Sequence, residues 1–132
     1  MIKFHEIKVG DIVQVEYEGT RFDGDVIELD HEDKLVRIHN GEQEFWYSPG
    51  DLYAIPLDDV QLQKLKFSRE LNGDGSIKYL RGPFRILLPG KDHFSSFEIW
   101  YREDHRQIHQ PIGVHDLQNY YYDMTKVHLT RE

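Results

Sequence analysis

The chain of 132 residues carries 24 Asp and Glu against 16 Lys and Arg, with eight His and no Cys. That length allows one domain or two small ones, and an apolar fraction of 39% is enough for a hydrophobic core. The missing cysteines exclude disulfides, zinc–thiolate sites and cysteine nucleophiles. No apolar run approaches the roughly 18 residues of a membrane helix, and the first residues lack the apolar stretch of a secretion signal. We therefore expect a cytoplasmic protein without membrane contact.

The negative charge is confined to the first half of the chain. Residues 1–56 hold 5 Lys and Arg against 13 Asp and Glu, whereas residues 57–132 hold 11 of each. An acidic surface repels phosphate backbones and attracts basic partners. The asymmetry therefore predicts a protein partner that is basic, and it disfavours nucleic-acid binding through the first half.

Short strands are predicted along the first half. Residues 11–17 alternate between apolar and polar side chains, and further strands are predicted at 22–29, 34–39, 42–47 and 52–55. Asn40-Gly41 is typical of a two-residue hairpin turn. Strands this short bury little surface alone, so we expect them to form a small barrel. The run Val9-Gly10-Asp11-Ile12-Val13, followed by Gly24-Asp25-Val26, resembles the start of SH3-like barrels of the Tudor and KOW type.

The second half has a mixed pattern. Asp58 and Asp59 are typical helix caps before a short helix at 60–65, strands are predicted at 77–80, 84–88 and 97–102, and a last helix at 114–124. The expected fold is therefore β-rich α+β. An SH3-like barrel over residues 1–56 would pack on a part at 57–132 that contains a helix, a three-stranded sheet and a C-terminal helix.

The second half also carries a family resemblance. The residues concerned are Ile55-Pro56-Leu57, then Leu62, Leu65 and Phe67, and the run Val114-His115-Asp116-Leu117-Gln118-Asn119-Tyr120. They resemble a family of small proteins of no established activity that phages and mobile elements of gut bacteria carry. The resemblance implies an accessory protein of a mobile element with a barrel-like first half. It implies no catalytic residue.

Three histidines are the candidate metal ligands, because imidazole suits zinc and related divalent ions. His105 and His109 would share one face of a helix, but Pro111 and Gly113 disfavour a helix there. On a strand the two would lie about 13 Å apart, too far for one ion. Both arguments weaken the metal hypothesis. A metal-dependent enzyme that uses His105, His109 and His115 is kept as an alternative, and no cofactor is expected.

Aromatic side chains are the candidate binding residues. Strand alternation places Trp46 beside Glu44 and places Trp100 beside Glu98 and Arg102, on the more polar face of each strand. Such a Trp either is buried between two parts of the fold or anchors a partner. A sharper hypothesis is an aromatic cage for a cationic group. Its members would be Tyr17, Phe22, Trp46 and Tyr47.

A second candidate surface lies on the last helix. His115, Gln118 and Tyr122 are three and four residues apart and share one side of it, where they either face solvent or are buried against the barrel. Tyr120-Tyr121-Tyr122 could stack bases, and four arginines of the second half could hold phosphates. Nucleic-acid binding through this half is the other alternative. The favoured interpretation is a non-enzymatic protein-interaction module with Trp46 as its anchor.

Overall fold

A computed structural model describes residues 2–131 and divides them into two compact units. The first unit comprises the residues up to Ile55 together with Gly113–Asn119, and the second comprises Pro56–Ile112 together with the residues from Tyr120 onward. The division after Ile55 lies next to the boundary predicted at residue 56. The grouping of residues 113–119 with the first unit differs from the predicted division, which places them in the second part.

The first unit contains a five-stranded antiparallel sheet with the spatial order β4-β3-β2-β1-β5. Its strands are β1 (Ile12–Tyr17), β2 (Thr20–Asp30), β3 (Leu35–His39), β4 (Glu44–Tyr47) and β5 (Leu52–Tyr53). Short 3-10 helices lie at Phe4–Glu6 and Pro49–Asp51. The five predicted strands are confirmed. The predicted barrel is not closed, because β4 and β5 remain edge strands in the described part of the chain.

The core of the first unit lies on one face of this sheet. Val13 and Val15 alternate with the polar side chains of β1, and the buried residues are Ile2, Ile7, Val13, Val15, Val26, Val36, Ile38 and Leu52. Gly24 lies opposite Val13 in the register. A Cβ at Gly24 would lie 2.3 Å from Cγ2 of Ile38, so only glycine lets β2 and β3 approach this closely.

Two hairpin turns join the first four strands. Glu18 and Gly19, which connect β1 to β2, both have left-handed backbone angles, with φ of 50° and 79°, as a two-residue type I′ turn requires. The predicted two-residue turn at Asn40 is wrong, because the connection of β3 to β4 spans residues 40–43. Asn40 instead accepts the N–H groups of Glu42 and Gln43 through its side-chain carbonyl, at 3.1 and 2.9 Å.

The second unit contains another five-stranded antiparallel sheet, ordered β10-β9-β8-β7-β6. Its strands are β6 (Ser68–Leu71), β7 (Ile77–Arg81), β8 (Phe84–Leu88), β9 (Phe97–Tyr101) and β10 (Asp104–Ile108). The three strands predicted from the sequence are the central ones. The predicted three-stranded sheet is therefore wrong, since both edge strands were missed.

The described residues also form two α-helices, α1 (Asp59–Lys64) and α2 (Val114–Thr125). Asp58 caps α1 as predicted, because its Oδ1 accepts the backbone N–H of Gln61 at 2.9 Å. The predicted last helix is confirmed as α2, and its Val114 and Leu117 are fully buried. No helix within residues 2–131 is long and apolar enough to cross a membrane.

Candidate functional site

Three exposed aromatic side chains lie on the face of the first unit's sheet that also carries its buried core residues. Phe22 pairs with Val15, and Tyr17 follows two residues later on the same face of β1. Phe45 pairs with Ile38, and its ring stacks almost parallel on that of Tyr17, with centroids 6.5 Å apart. The three side chains are between 39% and 58% exposed. We call Tyr17, Phe22 and Phe45 the aromatic patch.

Trp46 lies on the opposite face of the edge strand β4. It pairs with Arg37, whereas Phe45 and Tyr47 pair with buried residues of β3. The prediction that Trp46 lies on the polar face is thus confirmed, and its side chain is 44% exposed. The same register separates Trp46 from Tyr17, so the predicted cage of four aromatic residues does not converge on one face. The ring that stacks on Tyr17 is that of Phe45, which is not among the predicted cage residues.

A recess of about 370 Å³ is lined by residues that are close in sequence to these aromatic residues. Its lining combines carboxylates and phenol rings: Glu16, Gly19, Tyr47, Asp51 and Tyr53. The hydroxyl of Tyr53 donates to Oε2 of Glu16 at 3.2 Å. The guanidinium carbon of Arg21 lies 3.9 Å from the centroid of the Tyr53 ring. One ring of the lining therefore already holds a cation on its face, as cation–π attraction favours.

The surface of the first unit is acidic. The exposed carboxylates of the sheet and its turns include Glu16, Glu18, Asp25, Glu28, Glu32, Asp33, Glu42, Glu44 and Asp51. Arg37 lies between two of them, since it pairs with Glu28 at 3.1 Å and with Glu44 in a close contact. Exposed carboxylates outnumber exposed basic side chains in the first unit, so its surface attracts cations.

Trp100, the other candidate anchor, is half-buried on β9 of the second unit. Its ring stacks on that of His105 with centroids 4.4 Å apart. The guanidinium carbon of Arg85 lies 5.4 Å from the centroid of the Trp100 ring. His105 also lies 3.2 Å from Oε1 of Glu98. Trp100 and His105 thus contact each other and their strand neighbours within the sheet.

The tyrosines and arginines proposed for nucleic-acid binding also have partners inside the second unit. Tyr121 packs on Phe84 with ring centroids 4.7 Å apart, and Tyr122 stacks on His128 at 4.5 Å. Arg106 pairs with two carboxylates, which raise its pKa further. Stacking or phosphate binding by these groups would therefore compete with contacts that the fold already makes.

The Leu-Gln-Asn run of α2 binds the backbone that precedes β1. Oε1 of Gln118 accepts the N–H of Ile12 at 2.7 Å, and Nε2 of Gln118 donates to the carbonyl of Gly10 at 2.9 Å. Asn119 donates to the carbonyl of Glu6 at 3.0 Å. His115 and Gln118 are buried. His115 and Gln118 therefore do not belong to a solvent-facing surface, whereas Tyr122 is 37% exposed.

The structure places His115 in a set of possible metal ligands that differs from the predicted one. Among residues 2–131, one group of three such side chains has its ligand atoms within 4.8 Å of one another, and it consists of Glu6, His115 and Asp116. His105 belongs to the Trp100 stack, and His109 is exposed just after β10. His115 is the one residue that this set shares with the predicted one, and Glu6 lies about 110 residues away from it in the chain.

Comparisons of the chain with protein-family models, curated proteins and solved structures find no match.

Proposed function

We propose that the protein is a non-enzymatic interaction module that binds a basic segment of a partner protein through the first unit. The observation that carries the proposal is the aromatic patch on an acidic surface. Large apolar side chains left in water together on one face of a sheet are typical of a binding surface. The surrounding carboxylates would select a partner with basic side chains and accelerate its association.

The chemistry of the surface assigns a role to each part. The rings of Tyr17, Phe22 and Phe45 would bury apolar area against the partner, and Trp46 would anchor it from the other face of β4. The recess beside them would hold a guanidinium or ammonium group between the ring of Tyr53 and the carboxylate of Asp51. Arg21 supports this assignment, because its own guanidinium lies on the Tyr53 ring.

We also propose the finer classification of the first unit as an SH3-like domain of the Tudor or KOW type. Its support is the strand order, in which β1 to β4 form a meander and β5 lies beside β1. The resemblance of the Val114–Tyr120 run to proteins of phages and mobile elements supports an accessory role in such an element. Both statements extend the main proposal and are not needed for it.

Affinity capture from a bacterial lysate at low and high salt tests the proposal. The wild-type chain is compared with Trp46→Ala and with Leu71→Ala, which removes an exposed apolar side chain from the second unit. We expect a partner that Leu71→Ala retains, that Trp46→Ala loses and that high salt releases. Capture that is identical for all three proteins, or that salt does not weaken, would contradict the proposal.

A further inference from the structure

Three potential metal ligands lie close together in the first unit, and none of them belongs to the strands that carry the aromatic patch. Glu6 ends the 3-10 helix Phe4–Glu6, and His115 and Asp116 are the second and third residues of α2. One ligand atom from each lies within 4.8 Å of the others. We propose that Glu6, His115 and Asp116 bind a divalent transition-metal ion of the zinc and manganese class.

Hydrogen bonds hold both carboxylates in place without using all of their oxygens. Oδ2 of Asp116 accepts the backbone N–H of Gly113 at 2.8 Å, and Oδ1 is left facing His115. Oε1 of Glu6 accepts the backbone N–H of Lys3 at 3.3 Å, and the backbone carbonyl of Glu6 is tied to Asn119. Such outer contacts orient ligands before a metal binds.

The imidazole of His115 is the second observation that supports a ligand. Its side chain is only 3% exposed, and its Nδ1 has no hydrogen-bond partner. The nitrogen that faces the cluster is the other one, Nε2, which lies 3.5 Å from Oδ1 of Asp116. Buried polar atoms without a partner are uncommon in folded proteins, and a role of this ring in binding a ligand would account for it.

The charge of the cluster also favours a cation. Within residues 2–131, neither Glu6 nor Asp116 forms an ion pair with Lys or Arg. Two carboxylates this close repel each other, and a divalent ion would neutralise both. One imidazole and two carboxylates suit zinc or manganese. Because Glu6 and Asp116 are half-buried, water could complete the coordination of the ion from the solvent side.

Metal titrations of the full chain after chelator treatment test this proposal. Zn²⁺ and Mn²⁺ are added separately, with Mg²⁺ as a hard ion that prefers oxygen ligands. Calorimetry should give one ion per chain, and saturation should raise the melting temperature by about 4 °C or more. When Zn²⁺ is added, the NMR signals of the His115 ring should shift more than those of the seven other histidines.

Three variants locate the site. Glu6→Gln and Asp116→Asn keep the size of each side chain and should weaken binding by about tenfold or more, since each removes a charged ligand. His105→Gln disrupts the other histidine–carboxylate pair, at Glu98, and should leave binding unchanged. The proposal is overturned if neither Zn²⁺ nor Mn²⁺ binds saturably, or if Glu6→Gln and Asp116→Asn bind as tightly as the wild type.

Discussion

The side-chain amide of Gln118 acts as the missing strand partner of Ile12. β5 pairs with β1 only at Gln14 and Val15, so the N–H of Ile12 lies beyond the end of that short strand. Oε1 of Gln118 accepts this N–H at 2.7 Å, although the two residues are 106 positions apart in the chain. The contact explains why a polar residue is fully buried in α2.

Gln118→Ala should destabilise the protein by about 2–4 kcal/mol, because it removes two hydrogen bonds and leaves buried backbone groups unpaired. Urea unfolding measures the change. Gln110→Ala, at an exposed position, is the matched control and should change the free energy of unfolding by less than about 0.5 kcal/mol. Equal effects of the two substitutions would show that Gln118 does not hold this backbone.

Gly24→Ala should destabilise the first unit by about 1–3 kcal/mol through overpacking. The added Cβ would lie 2.3 Å from Cγ2 of Ile38, a distance that forces β2 or β3 to move. Gly73→Ala serves as the control, because nothing lies within 4 Å of a Cβ at that position. Thermal melting of the two variants checks the prediction, and an unchanged melting temperature for Gly24→Ala would contradict the register of β2 and β3.

Asp11 should make folding less favourable as the pH rises. Burial raises the pKa of this fully buried carboxyl, although Lys8 and Asn119 oppose the shift. A raised pKa in the folded state means that the contribution of Asp11 to stability is complete below its unfolded pKa and is lost as the pH rises through the folded value.

The measurement compares the wild type with Asp11→Asn in urea at about pH 4 and about pH 7. The free energy of unfolding of the wild type, relative to that of Asp11→Asn, should be lower at about pH 7 than at about pH 4. A difference that stays constant or grows with pH would mean that Lys8 and Asn119 outweigh burial, and that the pKa of Asp11 is not raised.

The central strands could be predicted from the sequence because each buries one face. Val13 and Val15 alternate with polar residues, and that period of two identifies β1. β6 and β10 escaped prediction because they are edge strands whose side chains are mostly exposed: all four residues of β6 face solvent. A strand without a buried face has no periodic pattern to read.

The candidate sites show the same division between local and distant information. Strand alternation correctly places Trp46 on the polar face of β4, because parity depends only on neighbours in the chain. It could not show that Phe45 stacks on Tyr17, since that contact joins two strands that are not neighbours in the sheet. The approach of Glu6 to His115 likewise depends on how residues 113–119 pack against the start of the chain within the first unit.

Arg21 should compete with a basic partner for the ring of Tyr53. Its guanidinium lies 3.9 Å from the centroid of that ring, so Arg21→Ala should free the ring and remove one positive charge beside the recess. We expect this variant to bind a short arginine-rich peptide more tightly than the wild type, by about twofold to tenfold, as a cation–π contact of this size implies. Weaker binding by Arg21→Ala would show that Arg21 itself contacts the partner.

The most direct test of the interaction module is a fluorescence titration of Trp46 with the same arginine-rich peptide. Trp100→Phe provides the background, so that Trp46 is the only tryptophan, and a glutamate-rich peptide is the control ligand. We expect saturable binding that weakens with salt, and Phe45→Ala or Asp51→Asn should each raise Kd by about tenfold, which corresponds to about 1.4 kcal/mol. No saturable change, or the same Kd in both variants and in the background protein, would contradict the proposed function.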